Sequence, residues 1–368
     1  MKILHIITGL NDGGAEGALF RLCKNDISNS HFVVSLLSGG KYELKLNAIN
    51  ISTYSLNLNN PLGVLKCIYI YKKILDEVKP NIIQTWLYHA DFFGGVFSFI
   101  FGYKRIFWNI RNCNTSKKAL KFSTRVIVFI NSIISNVIPR RIISVSQNAT
   151  LHHIKIGFNA NKFINIPNGY EFNESFTLPA DLVELKKQSS FLIGMVARYD
   201  PQKDHENLLR SLFILKKNNI HFKCLLVGTG MDYENVKLVN LIQALNLSDS
   251  VKLLGRRDDI ASVMQVLDLH ILSSLGEAFP NVLVEAMSNK TICISTDVGD
   301  ASLIINGNGW LVESECPDKL AAAILAANDL FLNKKQDWEL LRLKAKESVI
   351  DRFSIQNMVN RYTEIWNE

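Results

Sequence analysis

Short runs of apolar residues alternate with amphipathic stretches along the whole chain. Runs such as KILHIIT (2–8) and HFVVSLLS (31–38) end at Gly, Asn or Ser, and the intervening GGAEGALFRLCKN (13–25) has helical periodicity. Continuous apolar runs of this length are typical of strands covered on both faces. Strands that alternate with helices predict parallel βαβ units, so the pattern indicates an α/β fold.

This alternation of predicted strands and helices occurs in both halves of the chain, which predicts two domains. FLIGMVARY (191–199), FKCLLVGTG (222–230) and LHILSS (269–274) repeat the strand pattern, and the polar stretch 171–190 between the halves is interpreted as a linker. The prediction is two doubly wound, Rossmann-like domains, 1–175 and 190–352, that face each other across a cleft. A last helix at about 353–368 is expected to pack back on the first domain. Ligands of such sheets bind beyond the carboxyl ends of the strands.

Length and charge fit this picture. A chain of 368 residues exceeds the usual size of a single core, and its six cysteines follow no CxxC or Cys/His spacing, which disfavours disulfides and zinc. Residues 1–180 carry 20 Lys/Arg and 9 Asp/Glu (+11), whereas 181–368 carry 21 and 25 (−4). A basic half is compatible with an anionic membrane, a nucleic acid, a pyrophosphate substrate or simple solvation. No run of 18 apolar residues occurs, which favours a soluble, cytoplasmic chain.

A glycine pair follows the first predicted strand. Gly13 and Gly14 let the backbone approach a ligand closely, and the N-terminus of the helix after them offers N–H groups to an anion. The sequence is not GxGxxG, and a glycine pair at such a turn is commonly a turn and nothing more.

Two cations follow the first strand of the second half. Arg198 and Lys203 in VARYDPQKD (196–204) lie just before a helix predicted to begin near His205. A guanidinium fork and an ammonium together suit a diphosphate. The alternative is a solvated pair of loop charges.

Two glutamates eight positions apart stand in GEAFPNVLVEAM (276–287). Pro280 is expected in the first helical turn, where its missing N–H costs nothing. The N–H groups of about 279–282 and the positive end of the helix dipole would then favour a phosphate. Glu277 precedes the helix and Glu285 lies inside it, so the two carboxylates can bind two parts of one nucleotide-sugar. The alternative is that one carboxylate only interacts with the dipole at the helix N-terminus and the other is an ordinary surface carboxylate.

This segment resembles the EX7E signature of family 4 retaining glycosyltransferases of the GT-B fold. The resemblance extends along nearly the whole chain through GGAE (13–16), WLYHAD (86–91), NIRN (109–112), SVS (144–146), IPNGY (166–170), VARYDPQKD (196–204), LLVGTG (225–230), LLGRRDDI (253–260) and STDVGD (295–300).

The resemblance implies a role for each matched residue. Arg198 and Lys203 would hold the donor diphosphate, Glu277 the sugar hydroxyls and Glu285 the ribose. The remaining donor-side residues are Gly14, Gly228, Arg256, Phe279, Pro280, Asn281 and Val282.

The acceptor side and the chemistry follow from the same resemblance. His89 would contact the reacting sugar or the acceptor, while Gly13, Arg111 and Asn168 are acceptor-side or interdomain candidates. Same-face attack is favoured for retention, because no residue stands out as a nucleophile. The sequence has no DxD motif, so neither a metal nor another cofactor is expected, and the cations would take the metal's role.

The function implied is transfer of a hexose from a nucleotide-diphosphate sugar, expected to be a UDP-sugar. The acceptor would be a glycan, expected to be a lipid-linked oligosaccharide of surface polysaccharide such as O-antigen or capsule. FFGGVFSFIFGYKRIF (92–107) and SKKALKFSTRVIVF (116–129) suit peripheral attachment to an anionic inner leaflet. The alternatives are a sugar-nucleotide epimerase of similar shape or a non-catalytic nucleotide-binding module. Nucleic-acid binding is disfavoured, because the sequence has no RNP, KH or helix-turn-helix pattern.

Overall fold

The computed structural model describes residues 1–58, 63–112, 120–172 and 177–368. The chain divides into two compact units, one formed by Met1–Glu171 with Phe353–Glu368 and the other by Phe172–Arg352. Each unit contains one parallel sheet with helices, so the predicted pair of Rossmann-like α/β domains is confirmed.

The first unit is built on a seven-stranded sheet in the order β3-β2-β1-β4-β5-β6-β7, and every neighbouring pair of strands is parallel. Its strands are β1 (Lys2–Ile7), β2 (Ser30–Ser35), β3 (Ser52–Ser55), β4 (Ile82–Trp86), β5 (Ile106–Ile110), β6 (Arg141–Ser144) and β7 (Phe163–Asn165). Its helices are α1 (Gly14–Asn25), α2 (Lys41–Ala48), α3 (Val64–Val78), α4 (Tyr88–Ile100), α5 (Phe122–Ile134), α6 (Gln147–Lys155) and α15 (Ile355–Asn367).

Alternation along β1 explains how this sheet is covered on both faces. Ile3 and Ile7 belong to the core that α1 and α15 cover, whereas Leu4 and Ile6 belong to the core on the opposite face, beneath α3 and α4. Successive side chains of a strand point to opposite faces, so an uninterrupted apolar run supplies both cores. On the α15 side, Trp366 is fully buried.

The second unit has a six-stranded sheet in the order β10-β9-β8-β11-β12-β13, also with parallel pairs throughout. Its strands are β8 (Leu192–Val196), β9 (Lys223–Val227), β10 (Val251–Leu253), β11 (Leu269–Leu272), β12 (Ile292–Thr296) and β13 (Gly309–Val312). Its helices are α7 (Ala180–Lys187), α8 (His205–Lys217), α9 (Val236–Ala244), α10 (Ile260–Val266), α11 (Asn281–Ser288), α12 (Ala301–Ile305), α13 (Pro317–Asn333) and α14 (Lys335–Phe353).

The interpretation of 171–190 as a linker is wrong for its second part, which forms α7. Leu182 is fully buried, and Asp181 forms an ion pair with Arg257 at 2.6 Å. Lys186 forms a second ion pair with Asp268, so the polar residues that suggested a linker instead attach α7 to its own unit. Residues 173–176 of the stretch lie outside the described residues.

Among the helices that the structure describes, none is both long enough and apolar enough to cross a bilayer.

Candidate functional site

The second sheet reverses its strand order between β8 and β11, and candidate residues lie at that point. Arg198 and Lys203 follow β8, and Glu277 follows β11. Because both strands are parallel and adjacent, their carboxyl ends meet at one edge of the sheet. Such a reversal of strand order is where open α/β sheets bind ligands.

Lys203 and Glu277 form an ion pair at this edge. Lys203 Nζ lies 2.5 Å from Glu277 Oε1, and the side chains are only 19% and 13% exposed. The Ser274 hydroxyl donates to the same carboxylate oxygen at 2.7 Å. An ammonium carries three N–H donors, so one contact with Glu277 leaves capacity for an anionic ligand. The structure thus brings together two candidates that are 74 positions apart.

Arg198 is oriented by its own loop. Its Nε donates to Asp200 Oδ2 at 3.1 Å, while Asp200 Oδ1 accepts from the backbone N–H of Gln202 at 2.9 Å. Burial alone would raise the pKa of Asp200, but the hydrogen bonds from Gln202 and Arg198 and the nearby charges hold it below its ordinary value. The Arg198 side chain remains 65% exposed, so its guanidinium is accessible to solutes.

Contacts that the sequence did not reveal hold the loop around Glu277. Gln202 Nε2 donates to the carbonyl of Gly276, and Asp300 N donates to Ala278 O at 3.1 Å. Gly299 has φ +57°, and a Cβ there would overlap the carbonyl oxygens of Glu277 and Ala278. The segment STDVGD contains Gly299 and Asp300, so the motif was visible although its structural role was not.

Helix α11 begins one residue later than expected. Asn281 is its first residue, so Pro280 stands at the N-cap position and not in the first turn; its lack of an N–H is harmless at either place. Pro280 itself makes no side-chain hydrogen bond to this end of the helix. Phe279 is buried beside it, and Val282 and Glu285 are half-buried on α11.

Two further donor-side candidates follow β9 and β10. Gly228 has φ +144°, and a Cβ there would overlap the carbonyl of Ala197, so the loops after β8 and β9 can be this close only with glycine at 228. Arg256 is exposed, with a guanidinium nitrogen 3.9 Å from Asp258. It follows β10 at the edge of the sheet, two strands from β8.

The first sheet reverses its order between β1 and β4, and His89 follows β4 as the second residue of α4. The residue before α4, Leu87, has φ +74° and ψ 154°, a conformation that a non-glycine residue rarely adopts and that is enriched at functional sites. His89 is half-buried, and this burial lowers the pKa of its imidazole, which favours the neutral form.

Gly13 and Gly14 follow β1, the neighbouring strand. Gly13 is the extended N-cap of α1, and a Cβ on it would overlap the carboxylate of Glu16. Glu16 therefore turns back over the first turn of its own helix, where the dipole favours a negative charge. Burial raises the pKa of Glu16.

Arg111 and Asn168 are in direct contact. Arg111 Nη1 donates to Asn168 Oδ1, and its Nη2 donates to the Tyr362 hydroxyl at 2.9 Å. The guanidinium also lies 4.7 Å from the centre of the Trp86 ring. These partners are polar or aromatic and uncharged, so they supply hydrogen bonds without neutralising the cation. Burial lowers the pKa of Arg111.

Among the described residues, one group could hold a metal: His5, Cys23 and His31, whose ligand atoms lie within 4.8 Å of one another. Trp86 Nε1, which can only donate, lies 3.1 Å from His5 Nδ1, so the proton of a neutral His5 is on Nε2. His5 Nε2 in turn lies 2.9 Å from His31 Nδ1, and His31 Nε2 lies 3.2 Å from Asp26 Oδ2. Hydrogen bonding within the protein therefore accounts for both ring nitrogens of His5 and for His31 Nδ1.

Comparisons with known proteins show which families and structures this chain resembles. Residues 181–338, which include every second-unit candidate named above, match the family model described as Glycosyl transferases group 1. The chain is 28% identical over 211 residues to N-acetyl-alpha-D-glucosaminyl L-malate synthase of Bacillus anthracis. It is 26% identical over 212 residues to UDP-Gal:alpha-D-GlcNAc-diphosphoundecaprenol alpha-1,3-galactosyltransferase of Escherichia coli. Each match covers 55% of this chain, and the chain spans 53% of the length of each relative.

A solved structure resembles the chain over its whole length. Anabaena Alr3699/HepE, crystallised in complex with UDP, superimposes with a TM-score of 0.85 and 24% identity, covering 100% of both chains. At this identity the likeness establishes the fold, which is that of the GT-B glycosyltransferases. Residues 181–338 thus match the glycosyl transferases group 1 model, and the chain has a GT-B fold.

Proposed function

We propose that this protein is a retaining glycosyltransferase that moves a hexose from a UDP-sugar to a glycan acceptor. The observation that carries the proposal is the Lys203–Glu277 ion pair at the point where the second sheet reverses its order. The pair places an ammonium group, which can bind phosphate, next to a carboxylate, which can bind sugar hydroxyls. Both residues lie inside the segment that matches the glycosyltransferase family model. The UDP bound to Alr3699/HepE supports the choice of base.

On the donor, Lys203 and Arg198 contact the diphosphate. As the bond between the anomeric carbon and the phosphate oxygen breaks, negative charge grows on the leaving UDP, and fixed cations stabilise that charge. The N–H groups at the start of α11, from Phe279 to Val282, add donors with the same polarity. In this proposal the cations act without a metal ion.

Carboxylates and loops select the sugar and the nucleoside. Glu277 accepts hydrogen bonds from sugar hydroxyls, and Glu285 accepts them from the ribose diol. Gly228 and the main chain at Arg256 line the site of the base, and Gly14 lies beneath the diphosphate.

On the acceptor side, His89 donates a hydrogen bond to a hydroxyl of the reacting sugar or accepts one from the attacking hydroxyl. The acceptor oxygen attacks on the face from which UDP leaves, and its proton passes to the leaving phosphate oxygen, which retains the anomeric configuration. Gly13, Arg111 and Asn168 bind the acceptor or support its site.

The acceptor proposed is a lipid-diphosphate-linked oligosaccharide of surface polysaccharide, at the cytoplasmic face of the membrane. The Escherichia coli relative is named for an acceptor of that type, whereas the Bacillus anthracis relative is named for an L-malate product. Two relatives of similar identity thus carry names with different acceptors, so the lipid-linked acceptor rests on the basic first half as well as on similarity.

The test compares wild type with Glu277→Gln in a transfer assay that uses UDP-hexoses and a lipid-diphosphate acceptor. Loss of a hydrogen bond to a charged acceptor predicts at least about a tenfold lower rate. Glu206→Gln, which removes an exposed i,i+4 pair with Arg210 on α8, is the matched control and is expected to keep the wild-type rate. Product analysis checks that the anomeric configuration is retained.

Three results would contradict the proposal. Full activity of Glu277→Gln would show that this carboxylate does not have the role assigned to it. Conversion of the UDP-sugar to its epimer without acceptor identifies an epimerase instead. Binding of UDP-sugars without turnover in the presence of glycan acceptors identifies a nucleotide-binding module.

A further inference from the structure

Helix α5 carries a line of large apolar side chains that face solvent. Phe122, Val126, Phe129 and Ile133 recur every three or four residues, and Val137 continues the line just beyond the helix. Phe122 is 78% exposed and Phe129 is 65% exposed. We call these five residues the α5 stripe. Residues at this spacing lie on one face of a helix, and a contiguous exposed apolar patch marks an interaction surface.

The α5 stripe is not needed for the core of its own unit. The opposite face of α5 supplies Val128, Asn131 and Ser132, which are buried, and Asn131 Nδ2 donates to the carbonyl of Tyr88 on α4 at 2.9 Å. The helix is thus attached by its inner face while its outer face is also apolar. A helix that is apolar on both faces is expected to be covered on both.

The net charge of the sequence segment that contains the stripe indicates the kind of surface that covers it. Residues 92–170 contain eleven Lys and Arg and no Asp or Glu, whereas residues 1–91 contain nine and seven. The basic excess of the first half therefore comes from the segment that includes α5. Lys121 and Arg125 lie beside the stripe at the start of this helix.

We propose that the α5 stripe docks this protein on an anionic lipid surface. The apolar side chains enter the boundary between headgroups and acyl chains, and Lys121 and Arg125 beside the stripe attract anionic headgroups. The inference deepens the proposed function, because a lipid-linked acceptor would be met at that surface. Lipid binding itself needs neither donor nor acceptor.

The structure also narrows the membrane segments that the sequence suggested. Within 92–107, Phe93, Ile106 and Phe107 are buried in the core, so that run cannot supply a continuous lipid-facing surface. Within 116–129, the exposed residues Phe122, Val126 and Phe129 belong to the α5 stripe, and 116–119 lie outside the described residues.

The test is co-sedimentation of the full chain with vesicles of phosphatidylcholine alone or mixed with phosphatidylglycerol, at low and high salt. The apolar variant is Phe129→Glu with Ile133→Glu, and the charge variant is Lys121→Glu with Arg125→Glu. Val236→Glu on α9 of the second unit is the matched control, because Val236 is 65% exposed, as Phe129 is. Circular dichroism and a UDP thermal shift check that each variant is folded and binds donor.

Wild type is expected to sediment with the anionic vesicles, less at high salt, and only weakly with neutral ones. The apolar variant should partition into anionic vesicles at least about tenfold less than wild type. The charge variant should partition about fivefold less for each cation removed. The control should partition as wild type does. The proposal is overturned if the apolar variant binds as wild type does, or if wild type binds both vesicle types equally or neither. It is also overturned if the stripe holds together a dimer that the apolar variant dissociates. A failure to bind UDP with normal vesicle binding would instead contradict the proposed function alone.

Discussion

Asp91 is a buried carboxyl group beside His89, and its environment favours the protonated form. Thr85 Oγ1 lies 2.5 Å from Asp91 Oδ1, while Oδ2 has no hydrogen-bond partner among the described residues. Burial raises the pKa of Asp91 to about 8, and the hydrogen bonds from Thr85 and from the Asn109 backbone only partly offset this effect. At neutral pH the group is therefore largely an uncharged acid.

This shift predicts a pH-dependent stability of definite sign. Between about pH 4 and pH 8 the folded chain holds a proton at Asp91 that the unfolded chain has released, so the free energy of unfolding falls as pH rises. The contribution is complete below the unfolded pKa and lost as pH rises through the folded one. Relative to Asp91→Asn, the free energy of unfolding of wild type should fall by up to about 1.4 kcal/mol per pH unit in this range. Urea unfolding from pH 5 to pH 9 measures the difference.

Some other buried groups have the opposite effect on the pH dependence of stability. Their contributions are the same in wild type and in Asp91→Asn, so they cancel in this comparison. Burial lowers the pKa of His270 to about 3, so its contribution is lost as pH falls below the ordinary value for histidine, in both proteins alike. Asp329→Asn, at an exposed position on α13, serves as the control and should give a curve parallel to wild type. Parallel curves for wild type and Asp91→Asn would contradict the assignment.

The sequence predicts candidate site residues from their position at strand ends, but it does not predict the partners that position them. Arg198, Lys203 and Glu277 were selected because they follow apolar runs, and parallel strands bring such positions to one edge of a sheet. Ser274 and Gln202 were missed, because a serine and a glutamine in loops carry no signal of their own. Their roles depend on which loops meet, and strand pairing decides that.

At the scale of elements, alternating runs were enough to predict the strands and their parallel pairing. The pattern failed at α7, where few apolar residues and a proline suggested a linker. A short helix needs little apolar surface when ion pairs attach it, and the partners Arg257 and Asp268 lie far away in sequence. Composition within a window cannot detect such distant support.

The contact between Gly299, after β12, and the loop that leads into α11 predicts a large cost for Gly299→Ala. Both this residue and Gly307 have positive φ, but a Cβ at 307 meets nothing within 4 Å. Gly307→Ala should therefore cost only the left-handed strain of about 1–2 kcal/mol. Gly299→Ala should cost more and also lower transfer activity, because the loop that carries Glu277 must move.

Urea unfolding and the transfer assay on both alanine variants provide the measurement. An equal loss of stability in the two variants, or full activity of Gly299→Ala, would mean that the close approach does not position the loop. Gly307→Ala is expected to retain the wild-type rate once its stability is taken into account, since Gly307 follows α12 in a separate turn.

At the scale of the whole molecule, the proposed tasks belong to different units. The second unit holds the Lys203–Glu277 pair and the segment that matches the glycosyltransferase family, and the first holds His89, Arg111 and the α5 stripe. The charge follows the same division, since the acid-free segment 92–170 belongs to the first unit. A ligand that lacks both sugar and acceptor should thus report mainly on the second unit.

UDP is that ligand, and hydrogen exchange can follow the two units separately. At about 100 times its dissociation constant, UDP should stabilise a unit that binds it by about 2.7 kcal/mol, because only the folded form binds. Amides of β8, β9 and β11 should gain this protection, while those of β1, β4 and β5 should change much less. Lys203→Ala is expected to weaken the effect, and Lys217→Ala, at the far end of α8, to leave it unchanged. Protection confined to the first unit, or none with any nucleotide diphosphate, would contradict the donor assignment while leaving the fold intact.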